Sequence, residues 1–260
     1  MLPTVRAVRY VAPLREGGSL PGLMEADDEG TYVVKYRGAG QGPKALVAEL
    51  LAGEIGRALG LPVPDAVLLD LDPAFGRLEM DYEIQHLLRA SEGINYALDF
   101  LPGSITYDPL VPPAPDPSFA ADVIWFDAFV TNVDRTARNA NMLDWHGDTW
   151  LIDHGASLYF HHDWGDVVSR VADPFERVRQ HVMLPFAGDV TDADVRAHRQ
   201  LSTGVFESIL TALPDLWLAE HYGGEEPDAI RRRYLDYLVA RLEGSGAFVE
   251  EAARVRALLV

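Results

Sequence analysis

Apolar and polar residues alternate along Arg6-Ala7-Val8-Arg9-Tyr10-Val11, the period of a half-buried strand. A turn through Pro13-Leu14-Arg15-Glu16-Gly17-Gly18-Ser19-Leu20-Pro21-Gly22 then leads to a second strand near Leu23 and Met24. Gly30-Thr31-Tyr32-Val33-Val34-Lys35-Tyr36 is a β-branched and aromatic run with one lysine embedded in it. Over residues 43–59 the apolar positions Leu46, Leu50, Ile55 and Leu59 predict a helix, which Gly60 caps and Pro62 and Pro64 terminate. Residues 66–71 read as a strand, residues 81–89 as a helix, and Tyr96-Ala97-Leu98-Asp99-Phe100-Leu101 as a further strand.

The second half reads differently. Prolines crowd Pro109-Leu110-Val111-Pro112-Pro113-Ala114-Pro115-Asp116-Pro117, which can sustain neither a helix nor a central strand. Ser118 is then the expected N-cap of an almost wholly apolar helix over residues 119–130. Two strand-like runs, 141–145 and 149–153, flank the turn His146-Gly147-Asp148. The remainder is helical, with breaks near Pro185 and Pro214 and a helix opened by Glu226-Pro227-Asp228 and closed by Gly244-Ser245-Gly246. The pattern predicts an α+β chain of two lobes: residues 1–101, a small antiparallel sheet with one main helix, and residues 118–260, larger and mostly helical. A Pro-rich segment, 102–117, joins them.

Composition narrows the class. With 260 residues, 48% of them hydrophobic, the chain can build two cores, and no apolar run reaches membrane-spanning length. The start, Met1-Leu2-Pro3-Thr4-Val5-Arg6, does not read as a secretory signal, so a cytoplasmic location is expected. There is no cysteine, which excludes disulfides and thiolate chemistry. A net charge of -18 argues against direct nucleic-acid binding and against anionic membranes, since both are bound through cationic surface.

The chemistry concentrates in Asn132-Val133-Asp134-Arg135-Thr136-Ala137-Arg138-Asn139 and, after the hairpin, in Leu151-Ile152-Asp153-His154-Gly155. An acid, an Asn five residues on, and a second acid opening Asp-x-Gly are what phosphoryl transfer needs. Asp134 can accept the proton of an attacking hydroxyl, while Asn139 and Asp153 offer oxygens to magnesium on the phosphates. Upstream, Lys35 suits a phosphate contact and Glu49, on the following helix, an ion pair with it; Glu54 competes for that role. Gly17, Gly18 and Ser19 could bring backbone N–H groups and a hydroxyl to phosphate oxygens. Asp99, Phe100 and Leu101 are placed as a hinge whose backbone reads an adenine edge. His146, His154, His161 and His162 do not have zinc spacing.

The run Tyr32-Val33-Val34-Lys35 through Glu49, Leu59-Gly60-Leu61-Pro62-Val63-Pro64-Asp65-Ala66, and Asn132-Val133-Asp134 to Asn139 with Asp153 resembles the HipA-like serine/threonine kinase family. The resemblance implies a protein-kinase-like fold and magnesium-dependent transfer of the ATP γ-phosphate to a protein Ser or Thr. It gives Lys35 the nucleotide phosphate, Glu49 the orientation of Lys35, Asp134 the base role, and Asn139 and Asp153 the metal. It also implies silencing by autophosphorylation of a phosphate-loop serine, here Ser19, and raises an antitoxin-like protein partner. The chain is shorter than full-length HipA-type toxins and is expected to lack their extra N-terminal subdomain, which bears against such a pairing. Two other classes use similar residues: a small-molecule phosphotransferase of the aminoglycoside- or lipid-kinase sort, and a nucleotide-binding pseudokinase scaffold, which has no chemical need of Asp134.

Overall fold

The structure is a computed structural model that describes residues 2–14, 20–78, 80–164 and 167–259. By internal contacts the chain forms two compact units. The first comprises Met1–Leu50, Pro64–Pro102 and Thr211–Ile230, and the second Leu51–Val63, Gly103–Leu210 and Arg231–Val260. The break at Pro102 falls where the Pro-rich segment begins. The division is not a single cut, however, because Leu51–Val63 and Thr211–Ile230 each group with the unit distant from them in sequence.

In the first unit, β1 (Thr4–Pro13), β2 (Gly22–Ala26), β3 (Thr31–Lys35), β4 (Ala66–Leu71) and β5 (Gly93–Asp99) close on themselves in the order β1-β2-β3-β5-β4. The sheet expected to be antiparallel is so at four of its five pairings. The fifth is parallel, with Thr4, Val5 and Arg6 beside Leu68, Leu69 and Asp70. A strand returning after a helical crossover can run parallel to one that a hairpin cannot reach. Alternation sets the interior: Met24, Val34, Leu69 and Ala97 point inward from four strands. Ile84 and Leu88, from the helix α3 (Tyr82–Ala90), join this core. Asp81 caps α3, accepting from Glu83 N–H at 3.0 Å and Ile84 N–H at 3.4 Å.

The main helix α1 (Gly42–Ala58) begins and ends one residue before the predicted span, and Gly60, at φ +73°, sits just beyond its end in the left-handed region that glycine tolerates. A short helix, α2 (Phe75–Leu78), precedes α3.

In the second unit, α4 (Pro117–Phe129) is nearly all buried, and its Trp125 and Phe129 rings stack with centroids 5.1 Å apart. Its N-cap is Asp116, not Ser118. The Asp116 carboxylate accepts from the Ser118 N–H at 2.9 Å and the Phe119 N–H at 3.0 Å, and Pro117 takes the first helical position, where a missing N–H costs nothing. Two strands, β7 (Met142–Trp145) and β8 (Asp148–Leu151), form the expected hairpin. A two-residue strand that the prolines obscured, β6 (Ile105–Thr106), pairs with β7. Among the described residues the rest is helical: α5 (Val167–Val171), α6 (Val190–Gln200), α7 (Thr203–Leu210), α8 (Asp215–His221), α9 (Pro227–Glu243) and α10 (Gly246–Arg256), with 3-10 turns at Tyr159–His162, Glu176–Gln180 and Leu184–Phe186.

Candidate active site

In the first unit, alternation along β3 turns Tyr32 and Val34 inward and leaves Lys35, the last residue of the strand, opposite Tyr96 of β5. Leu46, Val47, Leu50 and Leu51 bury one side of α1 and carry Glu49 in with them. Lys35 Nζ donates to Glu49 Oε1, with side chains only 11% and 2% exposed. Glu54 is bound elsewhere, accepting from Arg57 Nε at 3.0 Å one turn along the same helix, so the strand lysine pairs with Glu49.

The chain leaving β3 is pinned. Asn95 Oδ1 accepts the Arg37 N–H at 2.8 Å and Ser91 Oγ accepts the Gly38 N–H at 3.0 Å. A Cβ on Gly38 would meet the Ala90 carbonyl carbon at 2.7 Å, so this approach requires glycine.

Gly17, Gly18 and Ser19 lie outside the described residues. Of the three hinge positions, Asp99 gives its N–H to the Asp65 carbonyl at 2.8 Å and Phe100 gives its own to the Thr31 carbonyl at 3.0 Å. Those two N–H groups are committed within the protein, which leaves the Leu101 backbone as the hinge position whose N–H is not so engaged among the described residues. The Asp99 carboxyl is held above the ordinary carboxylate range by burial and by the neighbouring Asp65 and Asp28.

In the second unit, α4 ends at Phe129 and the chain turns through Thr131 at φ +54° into the segment that carries Asp134. Asp134 Oδ2 accepts from Asn139 Nδ2 at 2.8 Å and from Asn141 Nδ2 at 3.3 Å, while its backbone N–H donates to Asn132 Oδ1 at 3.1 Å. Both amides fall on one oxygen. The other, Oδ1, accepts no hydrogen bond among the described residues.

The Asn139 amide is reached by a tight turn, in which the Thr136 N–H bonds to the Asn139 carbonyl at 2.9 Å and the Asn139 N–H to the Thr136 carbonyl at 3.1 Å. The hairpin sets the second acid: Met142 pairs with Leu151, the Ile152 N–H donates to the Asn141 carbonyl at 3.0 Å, and Asp153 is the next residue. Asn141 and Asp153 both hold left-handed backbone, at φ +48° and +56°. Such conformations cost energy in non-glycine residues and recur where side chains are aimed for a purpose.

Beneath this loop lies a fully buried ionic cluster. Asp127 Oδ1 accepts from Asn132 Nδ2 at 3.0 Å, and Oδ2 accepts from Arg135 Nε at 2.6 Å and His181 Nε2 at 2.8 Å. Burial by itself raises a carboxyl pKa; Arg135 and the His181 hydrogen bond more than offset it and hold Asp127 low, at about 2. Arg135 Nη1 reaches on to the Asn141 carbonyl. Sequence reading missed Asp127, Asn132, Arg135, Asn141 and His181. A carboxylate deep in the almost wholly apolar run of α4, which carries only Asp122 besides, was the available signal for Asp127, since an unpartnered carboxylate could not be buried there.

The donors around Asp134 and Asp153 are hard oxygens on partly exposed side chains, and among the described residues Asp134 Oδ1 and the Asn139 side-chain oxygen, Oδ1, accept no hydrogen bond. Such oxygens suit a hard divalent cation that is shared with substrate phosphates. Among the described residues no group of three or more His, Asp or Glu side chains could itself hold a metal. His154 instead packs edge-on against Phe126 at 5.6 Å, and His161 Nδ1 lies 2.9 Å from the Tyr234 hydroxyl.

A strand lysine held by a helix glutamate and an Asp-x-x-x-x-Asn loop followed by a hairpin and a second acid define a kinase-type phosphotransferase. The HipA-like kinase family model matches residues 8–244, and the chain belongs to that family. Among solved structures, the Helicobacter pylori proinflammatory kinase CtkA is similar with a TM-score of 0.57 at 14% identity, over 98% of this chain and 99% of that one. A Golgi casein kinase solved with Mn and ADP bound gives a TM-score of 0.49 at 11% identity, over 96% of this chain and 73% of that one. No curated protein sequence matches the chain.

Proposed function

We propose that this kinase transfers the γ-phosphate of ATP to the hydroxyl of a protein Ser or Thr, with magnesium, in the cytoplasm. The observation that carries the reading is the asymmetric carboxylate of Asp134, whose Oδ2 is held by two Asn amides and whose Oδ1 is open. Clamped by two amide donors, the carboxylate is aimed in one direction, which is what a general base for a hydroxyl requires. Lys35, held in place by Glu49, takes phosphate oxygens, and Leu101 offers backbone to the adenine. The Asn139 side-chain oxygen and Asp153 would hold the magnesium, which would supply charge neutralisation on the phosphates. Catalysis here is placement and charge compensation, with no covalent intermediate on the protein.

The test is thermal unfolding with ATP and magnesium, beside an assay of γ-phosphate transfer to proteins and to small alcohols. Ligand at about a hundred times its dissociation constant adds about 2.7 kcal/mol of stability, so the wild type should melt measurably higher. Asp153→Ala should lose that shift. Asp134→Asn should keep the shift and lose transfer by orders of magnitude. Transfer at the wild-type rate in Asp134→Asn would remove the base from the scheme; transfer to small alcohols alone would move the acceptor class, and binding without any transfer would leave a nucleotide-binding scaffold.

A further inference from the structure

We infer that Asp127 is the positioning residue of the catalytic loop, a carboxylate that touches no substrate and sets the rate by holding Asp134 in place. The inference rests on the reading of Asp134 as the base.

Two separate arms run from Asp127 to Asp134. Through Oδ1, Asp127 orients the Asn132 side chain, whose own Oδ1 accepts the Asp134 N–H. Through Oδ2 it orients Arg135, whose Nη1 holds the Asn141 carbonyl, and the Asn141 amide in turn binds Asp134 Oδ2. One arm fixes the backbone of Asp134 and the other its carboxylate. The backbone repeats the connection, since the Asn132 N–H donates to the Asp127 carbonyl at 2.8 Å. Asp127 stands in the last turns of α4, so the loop is referred to a helix buried along almost its whole length.

His181 completes the hub from a distant part of the chain. Its Nδ1 receives the Met183 N–H at 3.1 Å, and a backbone N–H can only donate. Nδ1 therefore carries the lone pair, the ring is the neutral Nε2–H tautomer, and Nε2 donates to Asp127 Oδ2. The same segment grips the loop directly, through the Val182 N–H to the Arg135 carbonyl at 3.2 Å and a bridge between His181 and Thr136. A pair buried for stability alone gains little over apolar residues of the same volume. Here every bond of the carboxylate ends on the loop, or on the segment that clamps it.

The experiment compares Asp127→Asn, His181→Leu and His181→Gln with the wild type, following ADP formation from ATP and magnesium well below each variant's Tm. Asp134→Asn is the reference. Asp127→Asn and His181→Leu should lower kcat about a hundredfold, the effect of displacing a reacting group by about 1 Å. KM for ATP should stay within about threefold, because ground-state binding of nucleotide is untouched. His181→Gln, whose amide can still donate toward Asp127, should recover most of the rate. Where Asp127→Asn does not fold, the two His181 variants carry the test. Wild-type kcat in folded Asp127→Asn and His181→Leu, or equal losses in His181→Leu and His181→Gln, would overturn the proposal. Retained activity in Asp134→Asn would instead overturn the base assignment, and the two failures are told apart by which variant remains active.

Discussion

Lys35 and Glu49 illustrate how little freedom a buried charge has. With side chains only 11% and 2% exposed, each has left most of its water behind and draws part of its compensation from the other. Glu49→Ala should therefore destabilise by about 3–5 kcal/mol, the cost of removing one partner of a buried pair, whereas Glu49→Gln, which keeps an acceptor for Lys35, should cost less. Urea titration of both variants checks this, and equal, small losses would mean that water reaches the pair. The lysine was legible from its strand. Its partner was not, because Glu49 and Glu54 are five residues apart on one helix and both could point inward. Arg57, one turn beyond Glu54, decides the choice by engaging that carboxylate at the surface. Sequence spacing also singled out Asp134 and Asn139, which hydrogen-bond to each other, and Asp153. It could not give Asn141 or His181, since their roles come from a backbone turned left-handed and from a chain returning some fifty residues later.

At the level of elements, hydrophobic pattern and capping divide the work. The apolar run alone located α4, but its start depends on one side chain. Asp116→Ala removes the acceptor for two otherwise unanswered N–H groups and should lower stability by about 1 kcal/mol, seen as a lower Tm. Ser118→Ala, by contrast, should be nearly neutral. The sequence held the clue in Pro117, since proline prefers the first helical position and so marks its predecessor as the cap. Gly60 makes the complementary case at a C-terminus. No neighbour crowds it, the nearest atom to an added Cβ being Gln200 Nε2 at 3.9 Å, so Gly60→Ala isolates the cost of φ +73° for a residue with a side chain. We expect about 1 kcal/mol, from denaturation midpoints at unchanged m-value. The two-residue strand β6 was illegible for a plain reason: two residues give no period.

For the whole molecule, acidity and burial combine into a pH dependence. Asp127 titrates at about 2 when folded, below the ordinary carboxylate value, so the native state binds this proton less readily than the unfolded chain. The resulting stability is complete at neutral pH and declines as the pH falls through the ordinary carboxylate range, about 4, toward about 2. Acid titration of unfolding free energy should show this slope in the wild type and a shallower one in Asp127→Asn; identical slopes would mean that other carboxylates govern acid unfolding.

The parallel contact between β1 and β4 has a consequence for how the molecule is made. Strand β1 emerges from the ribosome before its partners, and one of the two, residues 68–70, follows more than sixty residues later. Until then the nascent chain carries a strand whose hydrogen-bonding groups on one side face solvent or another chain, the situation that invites strand exchange between molecules. The ring is finished by its first strand waiting for its fourth, and crowded ribosomes translating one message are where that wait is most exposed to error.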